Sequence, residues 1–268
     1  MQFNHLNLVR ERNPLVHCIT NLVVTNFSAN GLLALGASPF MSTMPEEVAE
    51  IQTFAQALLI NIGTINQTDV EAMRIAGKAA NVQGVPVVLD PVGAGATAYR
   101  RQITQQLLSE IQFSAIRGNA AEMAFLAGIC WQGKGVDAGQ GNADIAHIAQ
   151  LVAQKYACVT AVSGAVDYVS NGQKVLQIVN GSSLFPRVTG SGCLLGAVIG
   201  AFLGVADKRD YFSATTEACA AYAIAGELAA QGLQHEVGTF AQRFLNQLAV
   251  ISPEKLTALL RLREVNHG

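Results

Sequence analysis

The chain has 268 residues, a formal net charge of −2, and half of its residues are hydrophobic. Only 13% are charged, about half the usual ~25%, and no basic face is left for nucleic acid. The longest apolar run, 193–206, has 14 residues and three glycines, short of the roughly 20 that cross a bilayer, so it reads as a buried helix and no membrane contact is expected.

In chain order, the start MQFNHLNLVRERNPL lacks the apolar core of a signal peptide. Strand-like apolar runs follow at 38–41, 57–63, 85–90, 114–118 and 158–164. Helical patterns lie between them at 28–36, 45–56, 67–82, 98–112, 119–128 and 143–155. Alternation of this kind predicts right-handed crossovers and an α/β fold, a central, mostly parallel sheet flanked by helices on both faces. The runs are continuously apolar, as strands covered on both sides must be. Residues 166–181 read as a hairpin turning at Asn171-Gly172. Four helices are expected after it, at 190–206, 211–231, 237–251 and 253–264. No Pro/Ser-rich linker, charge run or repeat divides residues 1–268, which are expected to form one domain. Cysteines at 18, 130, 158, 193 and 219 form no Cys-x-x-Cys pair, arguing against a disulfide framework or zinc site and for a reducing cytoplasm. Low charge with many Ala and Gly suggests a subunit interface.

Ligands of open parallel sheets sit beyond the carboxyl ends of the strands. Polar residues gather there: Asn61 and Gly63, Asp90, Arg117 with Asn119 and Glu122, Ser163 and Gly164. In VTGSGC (188–193), a glycine-rich turn enters a helix whose first amides lack intrahelical partners, so the turn is either an anion cradle or a plain cap. It is neither the Walker pattern nor the dinucleotide fingerprint. Cys193, in the first helical turn, is expected to have a lowered pKa and to act as base, nucleophile or hydrogen-bond partner, unless it is a small buried hydrophobe. In VVLDPVGAGA (87–96), Asp90 is either an oxygen ligand for Mg²⁺ or a turn cap. In AIRGNAAEMAFLAG (115–128), Asn119 and Glu122 have capping-box spacing, and Arg117 reads as a phosphate fork or a surface ion pair. In 17–41, Asn21, Asn26 and Met41 either line a small pocket or serve as caps and core, and His17 reads as structural. Together these features suit phosphoryl transfer, which depends on positioning and electrostatics.

The segments NPLVHCITNLVVTNFSANGLLALGASPFM, LDPVGAGA, RGNAAE and VTGSGC, in this order over residues 12–205, closely resemble the hydroxyethylthiazole kinase family, a branch of the ribokinase-like superfamily. The resemblance implies ATP-dependent phosphorylation of 4-methyl-5-(2-hydroxyethyl)thiazole for thiamine synthesis, with Mg²⁺. It also implies a homotrimer with active sites at subunit interfaces. It places Cys193 where ribokinase-like sugar kinases carry a basic aspartate, and makes Gly190, Ser191 and Gly192 an anion hole. It assigns Asp90 and Glu122 to Mg²⁺, Arg117 and Ser163 to the nucleotide, and Met41, Gly190 and Asn21 to the thiazole. The rivals are a hydroxymethylpyrimidine kinase, against which 17–41 argues, a cysteine hydrolase pairing Cys193 with His17 or His235, and a non-catalytic trimer.

Overall fold

The computed structural model describes residues 3–131 and 145–265. The elements run α1 (His5–Arg12), β1 (Leu15–Ile19), α2 (Thr25–Leu35), β2 (Ser38–Met41), α3 (Val48–Ile51), β3 (Ala57–Asn61) and α4 (Gln67–Gln83). Then come β4 (Val87–Asp90), α5 (Ala98–Glu110), β5 (Ala115–Asn119), α6 (Ala120–Ala127), α7 (Ile145–Tyr156), β6 (Val159–Ser163), β7 (Asp167–Ser170) and β8 (Val175–Ile178). The last are α8 (Ser191–Leu203), α9 (Tyr211–Ala229), α10 (Val237–Val250), α11 (Pro253–Leu259) and β9 (Leu262–Glu264).

One nine-stranded sheet has the order β2-β1-β3-β4-β5-β6-β7-β8-β9. Neighbours from β2 to β6 are parallel, and β7, β8 and β9 join antiparallel. Strand alternation divides the apolar side chains between two cores. Ala57, Leu59 and Val88 pack with α2, α8, α9 and α10, while Leu58, Ile60, Val87 and Leu89 pack with α4, α6 and α7. The expected α/β fold, with helices on both faces of a mostly parallel sheet, is observed.

The differences have local causes. Residues 15–19 form β1, although His17 and Cys18 interrupt its apolar run. His17 is buried: its Nε2–H donates to the Ser42 carbonyl (3.0 Å), and Gln52 Nε2 donates to Nδ1 (2.7 Å), so the ring is satisfied without charge. The helix expected over 45–56 shortens to α3, flanked by turns. The helix expected over 253–264 stops at Leu259, and the chain then adds β9 to the edge at β8. Helix α1 was not anticipated: the fully buried Glu217 of α9 accepts from the amides of His5 (3.1 Å) and Leu6 (2.9 Å), a cap supplied from 212 and 211 residues away. The hairpin turns at Asn171-Gly172 as expected, with Gly172 at φ 87°. The helix expected over 143–155 is described from Ile145, and its residues 143 and 144 lie outside the described residues.

Helix α8 positions the site. Gly192, Gly196, Gly200 and Gly204 recur every fourth residue, one face of a helix. A Cβ would lie 2.9 Å from Arg117 Nη2 at Gly192, 3.0 Å from Leu59 Cδ1 at Gly196 and 3.3 Å from Val16 Cγ1 at Gly200. Only hydrogen on this face allows α8 to lie so close to the sheet, and that brings its first turn over the ends of β4 and β5.

Candidate active site

The carboxyl ends of β3 and β4 are in register, Asn61 beside Asp90. Asp90 is fully buried. Its Oδ2 accepts from Asn61 Nδ2 (2.8 Å) and Arg117 Nη1 (3.0 Å), and its buried Oδ1 has no hydrogen-bond partner. Burial pushes the Asp90 carboxyl up, and Arg117 and Asn61 pull against it. The Asp90 side chain therefore does not cap the following turn.

Arg117, on β5, is buried rather than a surface group. Besides Asp90 it donates through Nη2 to Ser163 Oγ (2.8 Å), at the end of β6. Its Nε has no partner. A buried ion pair needs such further bonds to offset desolvation.

Asn119 and Glu122 form the complete capping box at the start of α6. Glu122 Oε2 accepts from the Asn119 amide and Oε1 from the Gly93 amide, each at 2.8 Å. Glu122 thus ties the β4–α5 loop to α6. Its carboxyl is pushed up by burial and then by Asp90.

Gly190 is the N-cap of α8 at φ 90°, in the left-handed region that glycine enters freely. The Ser191 amide donates to the Val188 carbonyl (3.2 Å) and that of Leu194 to Gly190 (2.8 Å). The amides of Gly192 and Cys193 between them have no hydrogen-bond partner among the described residues, which leaves two donors at the positive end of a helix dipole. Ser191 Oγ donates to the Phe185 carbonyl (2.7 Å), so this side chain anchors the turn.

Cys193 is half-buried, and Asn21 Nδ2 donates to its sulfur at 3.3 Å. The lowered pKa expected for this thiol is not found. Burial, and then the charge on Asp90, push it up, while Arg117, Asn61 and Asn21 pull less strongly the other way.

The structure brings Asn21, Asp90, Arg117, Ser163, Gly192 and Cys193 into one continuous set of contacts. Glu122 joins through the Gly93 loop, and Met41 stands at the end of β2, partly buried against the same core as α8. Asn26 stays apart, exposed and bonded to Asn30. His17 lies in its own buried cluster, and His235 contacts Arg187 (3.3 Å), so neither histidine is hydrogen-bonded to Cys193 as a dyad would require. Sequence reasoning missed Arg100, whose guanidinium donates to the carbonyls of Ile62 (2.5 Å), Gly63 (2.5 Å) and Val92 (2.7 Å) and clamps the loops after β3 and β4. An arginine three residues past the N-cap Thr97, just after a glycine-rich loop, was the available signal.

The fold is ribokinase-like: a ribokinase-like superfamily protein from Enterococcus faecalis superposes with a TM-score of 0.61 at 12% identity, over 87% of this chain and 86% of that one. The hydroxyethylthiazole kinase family profile matches residues 6–254. A hydroxyethylthiazole kinase from Actinobacillus succinogenes is 67% identical over 98% of both chains. The structure of a hydroxyethylthiazole kinase protein from Pyrococcus horikoshii superposes with a TM-score of 0.89, 38% identity and 98% coverage of both chains. The chain belongs to the hydroxyethylthiazole kinase family.

Proposed function

We propose that this chain transfers the γ-phosphoryl group of ATP to the hydroxyethyl group of 4-methyl-5-(2-hydroxyethyl)thiazole, for thiamine biosynthesis or salvage in the cytoplasm. The observation that carries this reading is the meeting of Cys193, the two free amides of α8 and the Asp90–Arg117 pair at one end of the sheet. The alcohol oxygen attacks the γ-phosphorus in line, the bond to ADP breaks, and the alcohol proton passes to the Cys193 thiolate. Gly190, Ser191 and Gly192 shape the turn that receives the phosphoryl group, and the Gly192 and Cys193 amides stabilise its developing charge. Arg117 and Ser163 serve the nucleotide. Asn21 and Met41, with Gly190, line the thiazole pocket.

The residues present fit Mg²⁺. The cation takes one or two carboxylates, waters and phosphate oxygens, and the buried Asp90 Oδ1 is a carboxylate oxygen left without a partner. Asp90 would hold it with Glu122, whose oxygens keep one amide each. No group of three or more His, Cys, Asp or Glu able to hold a metal occurs among the described residues. Mg²⁺ held there would neutralise charge on the transferring phosphate. We further propose a homotrimer with the sites at its interfaces, supported by the exposed Leu22 and Val23 directly after Asn21.

The deciding experiment measures ADP release from ATP and Mg²⁺ with hydroxyethylthiazole and hydroxymethylpyrimidine offered separately. Turnover with the thiazole alone is expected. Turnover with the pyrimidine alone would reassign residues 17–41.

A further inference from the structure

Asn61 belongs to none of the recognised motifs, yet several hydrogen bonds of the site meet on it. Its Nδ2 donates to Asp90 Oδ2 (2.8 Å), and its Oδ1 accepts from the Gly63 amide (2.9 Å) and from Asn21 Nδ2 (3.0 Å). A carboxamide can sit either way round, and its partners decide which. Asp90 Oδ2 already accepts from Arg117, a group that can only donate, so an N–H must face it. The Gly63 amide also only donates, so the other end of Asn61 must be oxygen. That oxygen in turn requires an N–H from Asn21, and the same Asn21 nitrogen donates to Cys193 Sγ at 3.3 Å. The direction of each of these bonds between the Asp90–Arg117 pair and the sulfur is therefore determined, and Asn61 also pulls the thiol down directly. Packing adds to this, since a Cβ on Gly63 would lie 2.6 Å from Asn21 Nδ2.

We propose that Asn61 is a positioning residue for phosphoryl transfer: it holds the Asn21 amide with its N–H toward Cys193, so that the sulfur accepts on that side and is free to take the substrate proton. The proposal rests on the reading that Cys193 meets the alcohol. Without the Asn61 oxygen, the Asn21 amide can turn and offer its own oxygen to the thiol proton. The sulfur would then be engaged as a donor and poorly placed to receive a proton.

The test is the rate of iodoacetamide alkylation of Cys193 at one fixed pH, read by peptide mass spectrometry so that the exposed Cys130 is followed separately. Steady-state kinetics accompany it. In Asn61→Leu, alkylation should slow about tenfold, because a thiol that donates is less often thiolate. Its kcat should fall by a similar factor, with KM for ATP within about threefold of wild type. A merely structural role predicts the opposite, since a loosened site exposes the thiol and speeds alkylation. Alkylation of Asn61→Leu at or above the wild-type rate would overturn the proposal. If Asn61→Leu does not fold, Asn21→Leu decides, because it removes the N–H facing the sulfur without adding charge: slower alkylation supports the relay, and an equal or faster rate overturns it. Wild-type protein inactive on the thiazole would remove the reaction assigned above, and the alkylation rates would still test the bond directions.

Discussion

At the residue scale, the site is a set of polar groups that burial has made costly and hydrogen bonding has made tolerable. Cys193 is the clearest case. Its thiol is pushed up by burial and by Asp90, so at neutral pH only a minor fraction is thiolate. If that fraction is the base, kcat should rise with pH through the alkaline range, and Cys193→Asp should reach its plateau at lower pH, since a carboxylate ionises earlier. Cys193→Ala should lose on the order of 10²-fold in kcat, and a loss of only a few-fold would assign the rate to the amides and the cation alone. His17 makes a separate prediction. Burial lowers it to about 4, against 6.5 for a free imidazole. Above pH 6.5 both folded and unfolded chains hold it neutral; between 6.5 and 4 only the unfolded chain takes up the proton, so stability falls with pH. The loss is about 3 kcal/mol across that window. Urea unfolding at pH 7 and pH 4 should show it in wild type and not in His17→Gln, whose amide can still donate and accept. The difference between the two proteins cancels Asp167, whose carboxyl is raised by burial to about 6 and acts in the opposite sense.

At the element scale, glycine governs how closely helices approach their neighbours. In α9, a Cβ on Gly226 would lie 2.1 Å from Phe185 Cζ. Phe185 stacks on Tyr222 at a ring-centroid distance of 5.3 Å, and its carbonyl holds Ser191 at the start of α8. Gly226→Ala should therefore cost about 1–3 kcal/mol despite better helix propensity and lower kcat by displacing the α8 turn. Gly238, in α10, has nothing within 4 Å of its would-be Cβ. Gly238→Ala should gain about 0.4–1 kcal/mol, and thermal unfolding of the two variants checks both signs. The elements differed in how legible they were. Strands β3 and β4 could be read because Leu58–Ile60 and Val87–Leu89 are apolar without interruption. Strand β1 could not, because His17 is made acceptable only by Gln52 and Ser42. Helix α1 and strand β9 depend on distant partners, Glu217 and β8, which no local pattern reveals. The site divides in the same way. Asp90, Glu122, Arg117, Ser163, Asn21 and Cys193 were legible as residues at element ends and by resemblance. That Arg117 pairs with Asp90, and that Asn61 and Arg100 connect the loops, follows from strand order and register.

At the scale of the whole molecule, the sheet separates two apolar cores and presents its polar residues at one end. Leu22 and Val23, 77% and 68% exposed, continue that end outward beside Asn21. If subunits meet there, the double variant Leu22→Glu/Val23→Glu should sediment as a monomer where wild type sediments as a trimer, and lose thiazole turnover with it. A trimeric double variant would place the interface elsewhere. The contact of α1 with Glu217, and of β8 with β9, has a consequence for how the chain matures on the ribosome. Glu217 emerges after the entire parallel part of the sheet has been made, and Leu262–Glu264 emerge after every other described helix and strand. A nascent chain halted before them carries an uncapped first helix and an open β8 edge, the kind of edge along which chains join one another. Stop codons placed ahead of Leu262 should therefore act less through lost catalysis than by committing the product to chaperones and proteolysis.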